Sequence, residues 1–356
     1  MRRAATTWAC LGLLALAGRA RAQDGEAPLI DGAESAELRA MRLYDEELFG
    51  ARPLTEPSSP ADRVRVSDGA PAATTDTPPP IPAQTAGSSH DLSYLRGLSL
   101  PDIPVRWDER VIEYLEFFRD DPRGRRHIAA WLRRVDRYGP TIRAALRAQG
   151  LPEDLIYVAM VESGFDPTAR SGAGAAGMWQ FVQRTGEELG LEVNHWVDRR
   201  LDPEASTVAA GRYLQMLHER FGTWELAFAA YNMGYGALLR AIRKYNTNDY
   251  WELSHLEAGL PFETNIYVSK ILACAIIGHN RSRFGFGDLE NEAPLRWDTV
   301  EVPGGIALGT LARAAGTNAA TLRSLNPELR RTRVPPGAGP WRLRLPAGSA
   351  DRFAQH

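Results

Sequence analysis

Glu162 is the residue of this chain whose surroundings best suit proton chemistry. Leu155, Val158 and Ala159 precede it by seven, four and three residues, so all three share its helical face. A carboxyl group among apolar neighbours loses hydration, and at a helix C-terminus it also meets the negative end of the backbone dipole. Both effects favour the protonated form. A carboxylic acid that keeps its proton near neutrality is what general-acid catalysis needs. The plain alternative is a helix-terminal Glu turned out to water, and Glu162 alone does not decide between them.

Other matches to chemical motifs are weaker. Gly172-x-Gly174-x-x-Gly177 fits the dinucleotide fingerprint, but it follows a helix and no βαβ unit surrounds it, so no nucleotide cofactor is expected. Asp166 stands four residues after Glu162, yet Pro167 disfavours a helix running through it. It reads as a cap or turn residue. His127, His195, His218, His255 and His279 show no zinc spacing, so no metal site is expected.

The elements that must position Glu162 are helical almost throughout 101–286. Val111, Tyr114, Leu115 and Phe118 make one apolar stripe, and Ile128, Trp131, Leu132 and Val135 a second. Gly139-Pro140 reads as a break, with Ile142 and Leu146 on a third helix beyond it. Asp202-Pro203 is a strong helix start, Asp as cap and Pro in the first turn, with Tyr213, Leu214 and Leu217 following. Trp224, Ala227, Phe228 and Tyr231 form the next stripe. Pro261 opens a last long helix with Ile266, Tyr267, Ile271 and Ile276.

Four segments in this region carry a family likeness: Glu162-Ser163-Gly164-Phe165, the stretch Ser171 to Gln180, Ala229 to Gly236, and Pro261 to Val268. In order and spacing they resemble the soluble-type (SLT-domain) lytic transglycosylases, and among them the membrane-bound lytic transglycosylase D group. The resemblance covers 101–286. It implies a mainly α, lysozyme-like catalytic domain over 99–287, with Glu162 as sole general acid/base and no cofactor. Ser171, Gln180, Tyr231, Asn232 and Tyr267 match positions that line the family's glycan groove. Ser163, Gly177 and Met178 fall in the same motifs and are expected to contact glycan. Glu263 either caps its helix with Thr264 or joins the groove. Tyr231 and Tyr267 without the motif would read as core aromatics. Met178-Trp179 and Met233-Gly234-Tyr235-Gly236 depart from the commoner family pattern, which bears on subsite shape and leaves the acid untouched.

The implied reaction is cleavage of the β-1,4 bond between N-acetylmuramic acid and N-acetylglucosamine, leaving 1,6-anhydromuramyl ends. Two other readings stand beside it: a goose-type lysozyme, which would use water on the same bond, and a non-catalytic peptidoglycan-binding scaffold.

After Gly285-Phe286-Gly287 the pattern changes. Trp297 to Val302 and Trp341 to Leu345 alternate like strands, with short helices at Thr310 to Ala315 and Ala319 to Leu325 between them. This small βααβ unit, 296–346, resembles a LysM module, which implies binding to N-acetylglucosamine-containing glycan. The alternative is a stabilising appendage. Because the groove residues precede Gly287, the catalytic domain is expected to fold and work without it.

Composition is ordinary for a soluble globular protein, and a net charge of −2 over 356 residues argues against an overall nucleic-acid-binding character. Arginines are in excess only in the C-terminal stretch, as either an anion-binding or a solvated face. Arg2 and Arg3 before the apolar run Trp8 to Ala17, then Ala20-Arg21-Ala22, read as a signal peptide over 1–22. Cys10 lies inside that run without a lipidation box, and Cys274 reads as a buried free thiol. The Pro/Ala/Ser-rich stretch 23–98 reads as a disordered linker, with a brief helix conceivable over Ala36 to Phe49. The expected setting is the periplasm or cell envelope, as a monomer, with peptidoglycan strands and cell-envelope proteins as partners.

Overall fold

A computed structural model of the chain describes residues 34–50, 92–337 and 339–356. The signal peptide and most of the 23–98 stretch lie outside these residues. Among the described residues ten α-helices precede the first strand: α1 (Ala36–Phe49), α2 (Glu109–Asp120), α3 (Pro122–Ala148), α4 (Ile156–Ser163), α5 (Gln183–Glu188), α6 (Pro203–Phe221), α7 (Trp224–Met233), α8 (Tyr235–Tyr245), α9 (Tyr250–His255) and α10 (Phe262–His279). The mainly α expectation holds.

α10 is the axis of the domain. Every residue from Thr264 to Ile277 is buried, because a helix apolar on all sides has to be surrounded. α2, α4 and α7 pack around it. α6 begins as its sequence dictates: Asp202 accepts from the backbone N–H groups of Glu204 and Ala205, with Pro203 in the first turn.

Two expectations are corrected. Gly139-Pro140 does not break the chain; both lie inside the 27-residue α3. Gly139 has no Cβ for the Pro140 ring to meet, which removes part of the clash that disfavours helix before a proline. The other correction concerns the linker. α1 and the 92–98 segment belong to the folded domain. Met41 and Phe49 are buried, with the Phe49 ring 4.9 Å from that of Tyr114. Glu37 accepts from Trp131 Nε1 at 2.7 Å and from Arg134 at 2.8 Å. These contacts come from distant sequence, so local composition could not announce them.

The C-terminal unit is the expected βααβ: β1 (Trp297–Val302), α11 (Leu308–Ala314), α12 (Ala319–Leu325) and β2 (Trp341–Pro346), followed by α13 (Ala350–Phe353). The strands pair antiparallel, from Trp297 opposite Pro346 to Val302 opposite Trp341. The unit is joined to the helical domain by a built seam. Val197 sits in its apolar core and bridges to Leu329 as an isolated antiparallel pair. Arg344 reaches across to Asp202 at 2.5 Å while also meeting Glu328 at 3.1 Å. A free tether would show neither feature.

Candidate active site

Seven of the eight residues of α4 are buried; Glu162 is the exception, and with Val161 it lines an open space. Gly164 ends the helix in the left-handed region at φ 60° and hands its N–H to the Met160 carbonyl at 2.8 Å. A side chain at Gly164 would run its Cβ to 2.2 Å from Trp131 Nε1, so glycine is required there. This sharp stop leaves Glu162 on the last turn, facing a cavity of about 650 Å³. Such a volume lies within the range of ligand pockets.

Tyr267, on α10, donates its phenolic hydrogen to Glu162 Oε1. Burial keeps the Tyr267 phenol protonated by pushing its pKa well above the ordinary tyrosine range. For Glu162, burial is again the dominant influence and raises the carboxyl to about 7, with Glu263 adding a little in the same direction. The hydrogen bond from Tyr267 and the positive charge of Lys270 pull the other way without reversing it. Glu162, the carboxyl singled out in the sequence, is thus one that burial biases toward its protonated form.

Glu162, Ser171, Gln180, Tyr231, Asn232, Glu263 and Tyr267 all line the cavity, so the structure brings them together. Glu263 does not cap α10, whose N-cap is Pro261 without a side-chain cap bond. Tyr231 is tethered by its hydroxyl, which donates to the Trp179 carbonyl at 2.7 Å. Asn232 accepts from Thr264 at 2.6 Å. Gln180 holds a left-handed backbone at φ 49° and donates its amide to the Gly177 carbonyl at 2.7 Å.

Three expected glycan contacts lie beneath the surface instead. The Ser163 hydroxyl is 2% exposed and donates to the Met178 carbonyl at 2.7 Å, pinning the glycine-rich loop to α4. Met178 is fully buried. Gly177 is buried, and at φ 84° an added Cβ would stand 1.9 Å from the Arg200 carbonyl oxygen, so the position excludes a side chain by packing. Arg200 in turn donates to the Gly174 and Phe181 carbonyls at 3.0 and 2.9 Å and pairs with Asp198. Motif membership told that these residues matter, but could not separate groove lining from groove support.

One wall went unread. Glu34, Leu38, Met41, Arg42, Asp45 and Glu46 bring a face of the N-terminal segment and α1 to the cavity, and Lys270 lines it as well. Lys270 did carry a signal, since a lysine inside the apolar run of α10 has to find a partner.

Fold and site together define a class. Residues 140–254 match the transglycosylase SLT domain, and residues 296–356 match the LysM-like domain of lytic transglycosylase MltD. The chain carries an SLT transglycosylase domain followed by an MltD-type LysM-like domain. It is 32% identical over 227 residues to membrane-bound lytic murein transglycosylase D of Escherichia coli, covering 62% of this chain and 49% of that one. The peptidoglycan transglycosylase of Escherichia phage T7 is 38% identical over 133 residues, 36% of this chain and 10% of the phage protein. The chain spans about half the length of the first of these relatives. Among solved structures it is similar to an inactive mutant of lytic transglycosylase Slt from Pseudomonas aeruginosa. That likeness has 24% identity, covers 41% of this chain and 24% of the other, and has a TM-score of 0.34.

Proposed function

We propose that this chain is a peptidoglycan lytic transglycosylase with Glu162 as its general acid and then its general base. In the first step Glu162 gives its proton to the oxygen that links muramyl C1 to the next N-acetylglucosamine, and that C–O bond breaks. The oxocarbenium-like C1 is then attacked by the C6 hydroxyl of the same muramyl residue, and the hydroxyl proton returns to the Glu162 carboxylate. A C1–O6 bond replaces the glycosidic bond and no water is consumed. Intramolecular attack has a high effective concentration, so no second carboxylate is needed to activate a nucleophile.

The observation that carries this reading is the state of Glu162: half-buried, hydrogen-bonded by a neutral phenol, and raised to about 7 at the edge of the cavity. Glu263 supplies the reason to keep hydrolysis as a second reading. It lines the same cavity, and a hydrolase pairs an acid with a carboxylate base. Mass spectrometry of the products from purified sacculi separates the two. The transglycosylase gives muropeptides lighter by one water, and Glu263→Gln retains that activity. Reducing ends, lost in Glu263→Gln, would mean hydrolysis.

The reading places the enzyme in the cell envelope, in keeping with the export-like N-terminal run and the membrane-bound designation of the Escherichia coli relative. Among the described residues no helix is long and apolar enough to cross a membrane. The LysM-like unit would hold the same glycan, adding retention on the insoluble polymer by effective concentration.

A further inference from the structure

We propose that Asp45, on the N-terminal helix α1, is a positioning residue for the catalytic acid: by pairing with Lys270 it keeps that ammonium from pairing with Glu162. This rests on the reading of Glu162 as the acid, and it concerns a part of the chain that lies outside both family matches.

The geometry is that of a buried charge with a dedicated partner. Lys270 follows Tyr267 by three residues on α10, which puts both on one helix face, and only 6% of it is exposed. A buried ammonium is costly unless paired. Asp45, 7% exposed, supplies the partner: its Oδ2 lies 2.5 Å from Lys270 Nζ, and its Oδ1 accepts from the Tyr114 hydroxyl at 2.7 Å. Both oxygens are thus engaged from the catalytic domain. α1 is held in place to do this by Glu37 on Trp131 and Arg134, and by paired bonds between Ser35 and Arg170.

Lys270 also lines the cavity with Glu162, close enough that its charge draws the carboxyl toward ionisation. Other groups face Glu162 or the cavity, and none of them is paired with Lys270 as Asp45 is. From α10, Tyr267 donates to Glu162 and Glu263 opposes its ionisation; from α7, Tyr231 is a neutral phenol bonded to a carbonyl. From α3, Arg134 is bound to the Gly164 carbonyl and to Glu37 of α1. At the opposite end of α4, Asp154 is taken by Arg143 and His279. Without Asp45, Lys270 is left on a cavity whose carboxyls are Glu162, Glu263, Glu34 and Glu46, and Glu162 is the one its charge already draws toward ionisation.

The test titrates Glu162 directly, by carboxyl carbon NMR on the full chain, with the signal identified by its absence in Glu162→Gln. In Asp45→Asn the Glu162 midpoint falls by about one pH unit or more, the size an uncompensated cation nearby produces. In Lys270→Met, which removes the ammonium, it rises above wild type, and in Asp45→Asn/Lys270→Met it returns to or above the wild-type value. The alkaline limb of turnover on sacculi moves with it in each variant. An unchanged or raised midpoint in Asp45→Asn, or an unchanged or lowered one in Lys270→Met, would overturn the proposal. The Lys270→Met arm stands even if Asp45→Asn fails to fold. The titration reads the proposal whether or not the products are anhydro sugars, so its failure and that of the transglycosylase reading remain distinguishable.

Discussion

Two carboxyl groups in this molecule, Glu162 in the groove and Glu328 in the seam between the domains, are both raised, with burial as the leading cause. Only one of them is placed to do chemistry. Glu328 is 2% exposed, and Arg344 meets it at 3.1 Å while also holding Asp202 and Glu204. Its carboxyl therefore has a cation and no opening. Glu162 has the opposite arrangement: its contact partner is a neutral phenol, and it faces a cavity. A raised carboxyl marks a site only when a substrate can reach it and no cation holds it ionised. Structural ion-pair networks perturb titration just as strongly.

The comparison breaks first under substitution to the amide. Glu162→Gln should lower turnover of sacculi by on the order of 10²–10⁴-fold, because an amide cannot protonate the leaving oxygen. Glu328→Gln should leave the chemical step intact. Turbidity of a sacculus suspension measures both, and equal losses would erase the distinction drawn here.

Removing the cation reverses the ranking. Arg344→Leu leaves Glu328 without its paired cation and Asp202 with only Arg199 at 3.4 Å, and breaking a buried pair costs about 3–5 kcal/mol. Thermal unfolding of the full chain should show a drop of several degrees. No such drop is expected for Glu162→Gln.

Deletion of 296–356 sharpens the contrast further. Asp198 donates its backbone N–H to the Glu328 carbonyl at 2.9 Å, and Arg200, paired to Asp198, supports the Gly174 and Phe181 carbonyls behind the groove. The truncated chain should lose sacculus retention and also turn over soluble glycan several-fold more slowly. Undiminished turnover would make the unit the independent tether expected from sequence.

Tyr267→Phe should have the smallest effect, about twofold in turnover, the low end of what one hydrogen bond contributes. Losing a hydrogen bond to the carboxylate also moves the alkaline limb of the pH profile upward. A downward shift would mean that the phenol does not stabilise the ionised form.

Much of this was legible because it is local. Apolar spacing located α2, α6, α7 and α10, Asp202-Pro203 announced its own cap, and the alternation of Trp297 to Val302 and Trp341 to Leu345 announced the strands. Glu162 was legible for the same reason, since its apolar neighbours lie within two turns. What escaped was set by partners far away in sequence. Arg344 reads as an outward position among C-terminal arginines, yet it is buried because that face of β2 meets Asp202, 142 residues earlier. Asp45 sits in a stretch whose composition suggests a linker, and it is buried because Lys270 lies 225 residues on. Ser163, Gly177 and Met178 were recognised as part of the motif while their direction, into the protein, depended on packing against α4 and Arg200.

The central claim is that Glu162 works as an acid, and the pH dependence of kcat/KM on sacculi tests it most directly. Glu162 raised to about 7 predicts activity that is sustained below that pH and falls tenfold per unit above it, as the proton is lost. The same shift fixes a second reading by linkage. A carboxyl raised on folding makes the native state bind more protons, so wild-type stability declines relative to Glu162→Gln as pH rises from about 4.5 to about 7. Activity that instead rises with pH through a limb near 4–5 and stays high at pH 8 would show that the ionised carboxylate is the working form, and would contradict the account.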